Sequence, residues 1–460
     1  MAENATGEAP LMLSVSGMRG IVGASLTPIE AVRFAGAFAT WLGAGDAGAA
    51  LKVVVGRDSR PSGQALSSAV LATLGAMGVE AVDIGVCATP TVGVMVEQLG
   101  ASGGLMVTAS HNPAPWNGLK PIRGDGASLP PHEAQAVIDA FRAGVPAWVD
   151  ATAVGRVTTH NDAAATHVER VLEGIDVKAV RAAKLRVVVD SVHGGGGAAA
   201  AMLFDRLGVA AEMMYAEPTG DFPHTPEPTE ANLVELCERV KASGADLGFA
   251  QDPDADRLAI VGPGGVYLGE ECTLVAAAAR LLKAGDVAVA NLSTSRMIDD
   301  AAAVVGATVA RSAVGEANVA ALMRERGAII GGEGNGGVIW PRVGQIRDSI
   351  GGMALALEWV AREGRSIDAL LEPYRRYTIV KHKLPADPSL HDKLEPALRE
   401  AFANGAISTV DGVRVDEGKA WVHVRASNTE PIFRVIAEAE SAEAANAMVE
   451  RARRALGIEL

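Results

Sequence analysis

Three stretches of the chain repeat one design, and that repetition limits the fold more than any other feature. LKVVVGRDSRPSGQALSSAVLATLGAMGVEAVDIG begins at Leu51, LRVVVDSVHGGGGAAAAMLFDRLGVAAEMMYAEP at Leu185, and DVAVANLSTSRMIDDAAAVVGATVARSAV at Asp286. In each, a β-branched run leads through a turn rich in Gly or Ser to an alanine-rich helical stretch and a second apolar run. Short apolar runs alternating with helical stretches indicate parallel sheets covered by helices. Three consecutive, related α/β domains are expected, as duplication would produce.

After Ser366 the texture changes. LLEPYRRYTIVKHKLPADPS, with its prolines and mixed charge, reads as a linker holding a short strand or helix. Beyond it TVDGVRV, KAWVHVRAS and PIFRVIAEAE look like strands, and SAEAANAMVERARRAL is an amphipathic helix opening on an N-cap serine. That describes a smaller α+β domain. At roughly 100 to 200 residues per domain, the chain holds three or four. The expected limits are 1–152, 153–258, 259–370 and 371–460.

Hydrophobic residues make up 49% of the 460 and aromatics only 4%, so the cores are aliphatic. The formal charge of -14 argues against a nucleic-acid or anionic-membrane partner, and a phosphorylated substrate would need local cationic pockets. Cys87, Cys237 and Cys272 are far apart and lack metal-ligand spacing, which suits reduced thiols in a cytoplasmic protein. MAENATGEAP has no basic or apolar signal region, and no apolar run nears the roughly 20 residues that span a bilayer. A soluble protein is expected.

Residues 105–113, LMVTASHNP, end an apolar run on Ser110 and His111. Either the polar end is satisfied by neighbouring backbone, or the serine is an exposed nucleophile. In GFAQDPDADRLAIV, Asp252, Asp254 and Asp256 alternate between two apolar strands, with Arg257 next. Three such carboxylates repel one another unless a divalent cation joins them, and Mg²⁺ takes hard oxygen ligands. A solvated acidic turn is the plainer alternative. A strand followed by Asp-x-Asp also opens the aspartyl-phosphate phosphatases, but Asp256 fits a third ligand better. Gly194, Gly196 and Ala199 imitate a dinucleotide fingerprint, a spacing that packing alone also produces. GGEGNGGVIW sets Glu333 and Asn335 on a backbone with little side-chain bulk, where hydroxyls of a small ligand could approach closely, or else forms a tight hairpin with a solvent-facing Glu. RASNTEPIFRV gathers Arg425, Ser427, Asn428, Thr429 and Arg434 around one turn, a phosphate cradle in composition. No Gly-x-Ser-x-Gly elbow, His-Glu-x-x-His site or Walker loop occurs.

Taken in order, TASHNP, DPDADR, GEGNGG and RASNTEP resemble the four active-site loops of the α-D-phosphohexomutases. SGMRGIVG (16–23), VVGRDSRPSG (54–63), NGLK (117–120) and HTPEP (224–228) extend the resemblance over essentially the whole chain. It implies a heart-shaped molecule of three related α/β domains with mixed sheets and a smaller α+β domain, each giving one loop to a central cleft. It implies that Ser110 carries a phosphoryl group and that Asp252, Asp254 and Asp256 hold one Mg²⁺ against it. Arg19, Arg257 and Lys120 would supply positive charge, with His111 and Lys120 as candidates for proton transfer. Glu333 and Asn335 would contact sugar hydroxyls. Arg425, Ser427, Asn428, Thr429 and Arg434 would grip the other phosphate. The implied reaction passes the phosphoryl group from Ser110 to a hexose monophosphate, turns the resulting 1,6-bisphosphate, and takes back the other phosphate; a hexose 1,6-bisphosphate is the activator.

The sugar loop departs from the GEMSGH or GEQSGH form, with Asn335 for serine and Gly337 where histidine is common, and Pro253 replaces a glycine in the metal loop. GEGNGGVI resembles archaeal-type phosphoglucosamine mutases, which implies glucosamine phosphate ahead of mannose and glucose phosphates. A metal-dependent sugar-phosphate phosphatase, a non-catalytic sugar-phosphate binding protein and, more distantly, a dinucleotide-dependent dehydrogenase are the readings of other classes. Oligomeric state is left open.

Overall fold

The computed structural model describes residues 10–45, 50–144, 147–385, 390, 393–426 and 432–458. The valine-rich runs become the first strands of three sheets: Lys52–Arg57, Arg186–Asp190 and Val287–Asn291. Their central residues are buried on both faces, which is why they read as continuous apolar runs. Each leads into a helix, Gly63–Ala76, Gly197–Leu207 or Met297–Val305. Gly78, Gly208 and Gly306 follow these helices at φ of 80°, 63° and 75°, a left-handed turn that disfavours a side chain. The second strands, Glu80–Val86, Ala210–Met214 and Thr308–Ser312, then run parallel to the first.

A further helix, Thr89–Gln98, Val234–Ser243 or Glu316–Arg326, brings the chain to a third strand on the other side of the first. These third strands are Gly103–Val107, Leu247–Gln251 and Ile330–Glu333, parallel to the first. The fourth strands, Trp116–Arg123, Leu258–Gly262 and Gly337–Ile339, turn back antiparallel to the third. All three sheets therefore share the spatial order fourth, third, first, second. The antiparallel strand makes each sheet mixed, where the repeat pattern alone indicates parallel pairing. The reason is local. A parallel return needs a crossover of about a dozen residues, whereas segments 108–115, 252–257 and 334–336 are short hairpin connections.

Two sheets run past the expected domain limits. Val157–Thr159 pairs with Glu80–Val86 in the first sheet, beyond residue 152; three half-exposed residues give too short a pattern to read from sequence. Leu258–Gly262 and Val266–Tyr267 belong to the second sheet, beyond residue 258, because the acidic turn is a hairpin and not an exit. The segment expected as a linker holds Thr378–Pro385, an eight-residue strand paired along its length with Ile432–Ala439.

The fourth sheet is wholly antiparallel, in the order Thr378–Pro385, Ile432–Ala439, Ala420–Ala426, Val413–Glu417, Ala406–Ser408. Helices Leu394–Ala401 and Ala442–Ala455 share its apolar core, and Ser441 caps the latter by accepting from the Ala444 amide at 3.2 Å. Leu203, Phe204, Trp340 and Leu355 lie in one continuous core joining the second and third units, which Val94 of the first also enters; the fourth unit keeps its own.

Candidate active site

The hairpin connection falls at the same place in each repeat, the carboxyl end of the third strand, the edge at which open α/β sheets bind ligands. In the first unit it carries Ser110. The Thr108 hydroxyl donates to Asp58 Oδ2 at 2.7 Å and accepts from the Ser110 amide at 2.9 Å. Asp58 pairs with Arg60 Nε at 3.0 Å. The buried Arg60 guanidinium then donates to the carbonyls of Ser110, Asn112, Pro113 and Trp116 at 2.6 to 2.9 Å. One cation thereby satisfies four carbonyls of a loop that has no ladder of its own. Ser110 sits at φ 50°, a left-handed conformation uncommon for a residue with a side chain. Its hydroxyl crosses to the second unit and donates to Asp252 Oδ2 at 3.0 Å. Arg60→Met leaves the buried Asp58 charge without its cation and removes one donor from each of the four carbonyls, and is expected to cost about 3 to 5 kcal/mol in denaturant unfolding. A loss below about 1 kcal/mol would show that the loop holds itself.

Asp252, Asp254 and Asp256 are wholly buried, and each can present an oxygen within 4.8 Å of the others. Asp252 Oδ1 accepts the amides of Asp256 and Arg257 at 3.1 Å. Asp254 Oδ2 accepts from the Thr89 hydroxyl at 2.6 Å and Lys120 Nζ at 2.9 Å. Asp256 Oδ2 accepts from Lys120 Nζ at 2.9 Å and Arg347 Nη2 at 2.7 Å. Among the described residues, Asp254 Oδ1 and Asp256 Oδ1 are left buried without a partner. Orphaned carboxylate oxygens are costly, and a divalent cation with hard oxygen ligands is the group they fit. Burial, then the charges of Asp254 and Asp256, hold Asp252 well above the usual carboxylate pKa, a repulsion such a cation relieves. The 194–197 glycine turn packs against this loop: a Cβ on Gly194 would stand 2.8 Å from Pro253 Cα, and one on Gly196 2.6 Å from Ala255 Cβ. Its glycines serve close approach to the metal loop, which accounts for the spacing without a dinucleotide.

Burial opposes the charge on Lys120, but the Asp254 and Asp256 carboxylates outweigh it and raise its pKa, leaving a fixed cation. Partial burial, then Arg257 and Arg19, push His111 down to about 3, so its ring is neutral. Its Nδ1 lies 3.3 Å from Ser110 Oγ. Arg19 donates to Asn112 Oδ1 at 3.0 Å, and Arg257 approaches Glu227 Oε1 at 3.4 Å.

In the third unit, Glu333 Oε1 accepts from Asn291 Nδ2 at 2.8 Å and the Gly315 amide at 3.0 Å, while Oε2 accepts from Arg347 Nη1 at 2.5 Å. Asn335 Oδ1 accepts from the Gly337 amide at 3.2 Å. In the fourth unit, Arg425 Nε lies 3.3 Å from Asp411 Oδ2, which also accepts from the Val314 amide of the third unit at 3.0 Å.

Of the sequence-predicted residues, Arg19, Ser110, His111 and Lys120 of the first unit, Arg257 of the second, Glu333 and Asn335 of the third, and Arg425 and Arg434 of the fourth line one cleft of about 790 Å³. The three aspartates stand behind Ser110 and Lys120. Ser427, Asn428 and Thr429 lie outside the described residues. Sequence reasoning gave no role to Asp58, Arg60, Arg347 or Asp411. Asp58 and Arg60 carried a signal, an acid and a base two apart in the quoted VVGRDSRPSG motif; Arg347 and Asp411 carried none.

Four consecutive family domains match the chain: phosphoglucomutase/phosphomannomutase alpha/beta/alpha domain I over residues 12–146, domain II over 165–265, domain III over 269–377, and the C-terminal domain over 385–455. The chain belongs to the phosphoglucomutase/phosphomannomutase family. As a phosphohexomutase it is an isomerase, an intramolecular phosphotransferase, and the family's general dependence on Mg²⁺ agrees with the buried aspartates. A probable phosphoglucosamine mutase of Methanopyrus kandleri is 38% identical over 440 residues, 94% of each chain. The phosphoglucomutase/phosphomannomutase of Thermococcus kodakarensis is 34% identical over 448 residues, 96% of this chain and 97% of that one. The crystal structure of a phosphoglucomutase/phosphomannomutase family protein of Burkholderia thailandensis superposes with a TM-score of 0.83 at 29% identity, covering 97% of this chain and 98% of that one. Among the described residues of this phosphohexomutase, no helix is long and apolar enough to cross a membrane.

Proposed function

We propose that this phosphohexomutase interconverts glucosamine 6-phosphate and glucosamine 1-phosphate through phosphorylated Ser110 and an enzyme-held 1,6-bisphosphate. The observation that carries the reading is the approach of Ser110 Oγ to Asp252 at 3.0 Å at the wall of a cleft that Glu333, Asn335, Arg425 and Arg434 also line. A hexose monophosphate needs such a set: a phosphoryl carrier, polar groups for its ring hydroxyls, and arginines for the phosphate that does not react. The glucosamine assignment is supported by the GEGNGG loop and by the name of the Methanopyrus relative. Mannose and glucose phosphates are the alternatives, supported by the name of the Thermococcus relative.

In the forward direction the bond from Ser110 Oγ to phosphorus breaks as the bond from the sugar oxygen forms, and the sugar's proton finishes on the serine oxygen. Asp252 Oδ2 at 3.0 Å and His111 Nδ1 at 3.3 Å are both in reach of that oxygen. Lys120, Arg19 and Arg257 provide fixed positive charge for a transition state whose charge is spread over the transferring oxygens. One Mg²⁺ bound by Asp252, Asp254 and Asp256, together with the phosphate on Ser110, would neutralise the same charge. Glu333 and Asn335 contact the ring hydroxyls. Arg425 and Arg434, with Ser427, Asn428 and Thr429, hold the distal phosphate. A hexose 1,6-bisphosphate acts as activator by phosphorylating any Ser110 left bare.

The test is a ³¹P NMR time course with Mg²⁺, a trace of hexose 1,6-bisphosphate, and glucosamine, mannose or glucose 1-phosphate in separate samples. Conversion to the 6-phosphate without net inorganic phosphate, fastest for glucosamine, is expected. Faster turnover of another sugar overturns the sugar assignment, and steady release of inorganic phosphate overturns the mutase in favour of a phosphatase.

A further inference from the structure

Gly337 needs an explanation that its backbone does not give. It opens the strand Gly337–Ile339 and is not among the residues with positive φ, so an alanine there would meet no conformational penalty of that kind. What a Cβ would meet is Arg347. The three nearest atoms are Arg347 Cδ at 2.1 Å, Cγ at 2.9 Å and Nε at 3.1 Å, all in one side chain. Neighbouring glycines differ: a Cβ on Gly332 would strike the Gly337 carbonyl oxygen at 2.0 Å, and Gly336 sits at φ 84°. At 337 the missing side chain makes room for one arginine.

Where that arginine goes is the second observation. The Arg347 amide donates to Glu316 Oε1 at 2.7 Å, and an isolated bridge pairs Arg347 with Ile339, so the backbone is fixed beside the strand. The side chain passes over Gly337 and its guanidinium spreads between two buried carboxylates, Nη1 on Glu333 Oε2 at 2.5 Å and Nη2 on Asp256 Oδ2 at 2.7 Å. Those carboxylates belong to hairpins of different units. A planar fork can hold two acceptors at a set separation, which a lysine's point charge cannot. Glu333 Oε1 is meanwhile taken by Asn291 and the Gly315 amide, so both oxygens of Glu333 are fixed.

We propose that Gly337 and Arg347 form one unit in which the glycine admits the arginine and the arginine aims Glu333 at the substrate, at a fixed distance from the phosphoryl-transfer loop. The second half of this rests on the reading of Glu333 as a sugar contact given under Proposed function. Arg347 is a positioning residue: it acts through Glu333 and Asp256. A carboxylate left unaimed still binds a sugar but presents it badly to Ser110, so the loss falls on kcat more than on KM.

The experiment is a double-mutant cycle of Gly337→Ala and Arg347→Ala, read in kcat and KM for the best hexose phosphate and in the unfolding midpoint of the ligand-free protein. Each single variant is expected to lose about 100-fold in kcat/KM, and the double variant to be no worse than Arg347→Ala alone, because its alanine at 337 no longer meets a side chain. Arg347→Lys, with the charge but not the fork, should recover part of the loss. Independent residues would instead multiply to about 10⁴-fold, and that result, or a Gly337→Ala variant within about twofold of wild type, overturns the proposal. A loss confined to KM overturns the positioning half. If wild type turns over no hexose phosphate, the proposed function fails, while the midpoints still decide the pairing: non-additive shifts support it and additive shifts overturn it. Should Arg347→Ala not fold, Arg347→Ser takes its place in the cycle, its short side chain ending before the Cδ that Gly337 accommodates.

Discussion

Ser110→Ala is expected to lower mutase turnover by about 10⁴-fold or more while the protein still folds and still binds hexose phosphate. The substitution deletes the oxygen that would carry the phosphoryl group and leaves its scaffold intact. The Ser110 carbonyl still accepts from Arg60, and its amide still donates to Thr108. Intact-mass measurement after incubation with a hexose 1,6-bisphosphate should find one added phosphoryl group on wild type and none on the variant, with calorimetry reporting retained sugar-phosphate binding. The result also separates the mutase from an aspartyl-phosphate mechanism on Asp252. A phosphoryl group that survives Ser110→Ala and is released by hydroxylamine would be an acyl phosphate, and would overturn the assignment to serine.

Asp254→Asn carries the second large effect. Asp254 gives one oxygen to Thr89 and Lys120 and has the other buried without a partner among the described residues, so the neutral amide removes a charge and a candidate metal ligand at almost constant volume. Turnover is expected to fall by about 10³-fold and Mg²⁺ affinity by about 100-fold or more. Titration calorimetry with Mg²⁺ reads the affinity independently of catalysis. Chelation of the wild type should reach a similar floor in activity and reverse when Mg²⁺ is restored. An Asp254→Asn protein that binds Mg²⁺ as tightly as wild type would place the ion elsewhere.

The repeats were legible because their first strands are buried on both faces, which leaves an unbroken valine run between turn residues. The site loops were legible for a related reason: LMVTASHNP, GFAQDPDADR and GGEGNGG each end an apolar strand on polar groups, as a hairpin at a sheet edge must. The contacts that hold those loops were not. Arg60 reaches carbonyls some fifty positions away in sequence, and Arg347 joins carboxylates of two units; neither leaves a periodicity or a local spacing. Val157–Thr159 escaped because an exposed edge strand of three residues is hardly distinguishable from a loop. The sugar was hard to read because discrimination is a difference between affinities, while a carboxylate and an amide at 333 and 335 would suit the hydroxyls of any hexose.

The four bonds from Arg60 to the serine loop have a consequence for how such an enzyme can stall. A serine pinned in this way has no freedom to follow its substrate from one end to the other. In the mechanism proposed above, the bisphosphate would have to release both grips, reverse inside about 790 Å³, and be caught again. Every turnover would then be a race between tumbling and escape. By the same proposal, a molecule that lost its intermediate would keep a bare serine and stay silent until a fresh bisphosphate arrived. Processivity, a word usually kept for enzymes that travel along polymers, would then be what the arginines of the fourth unit supply to a single small sugar.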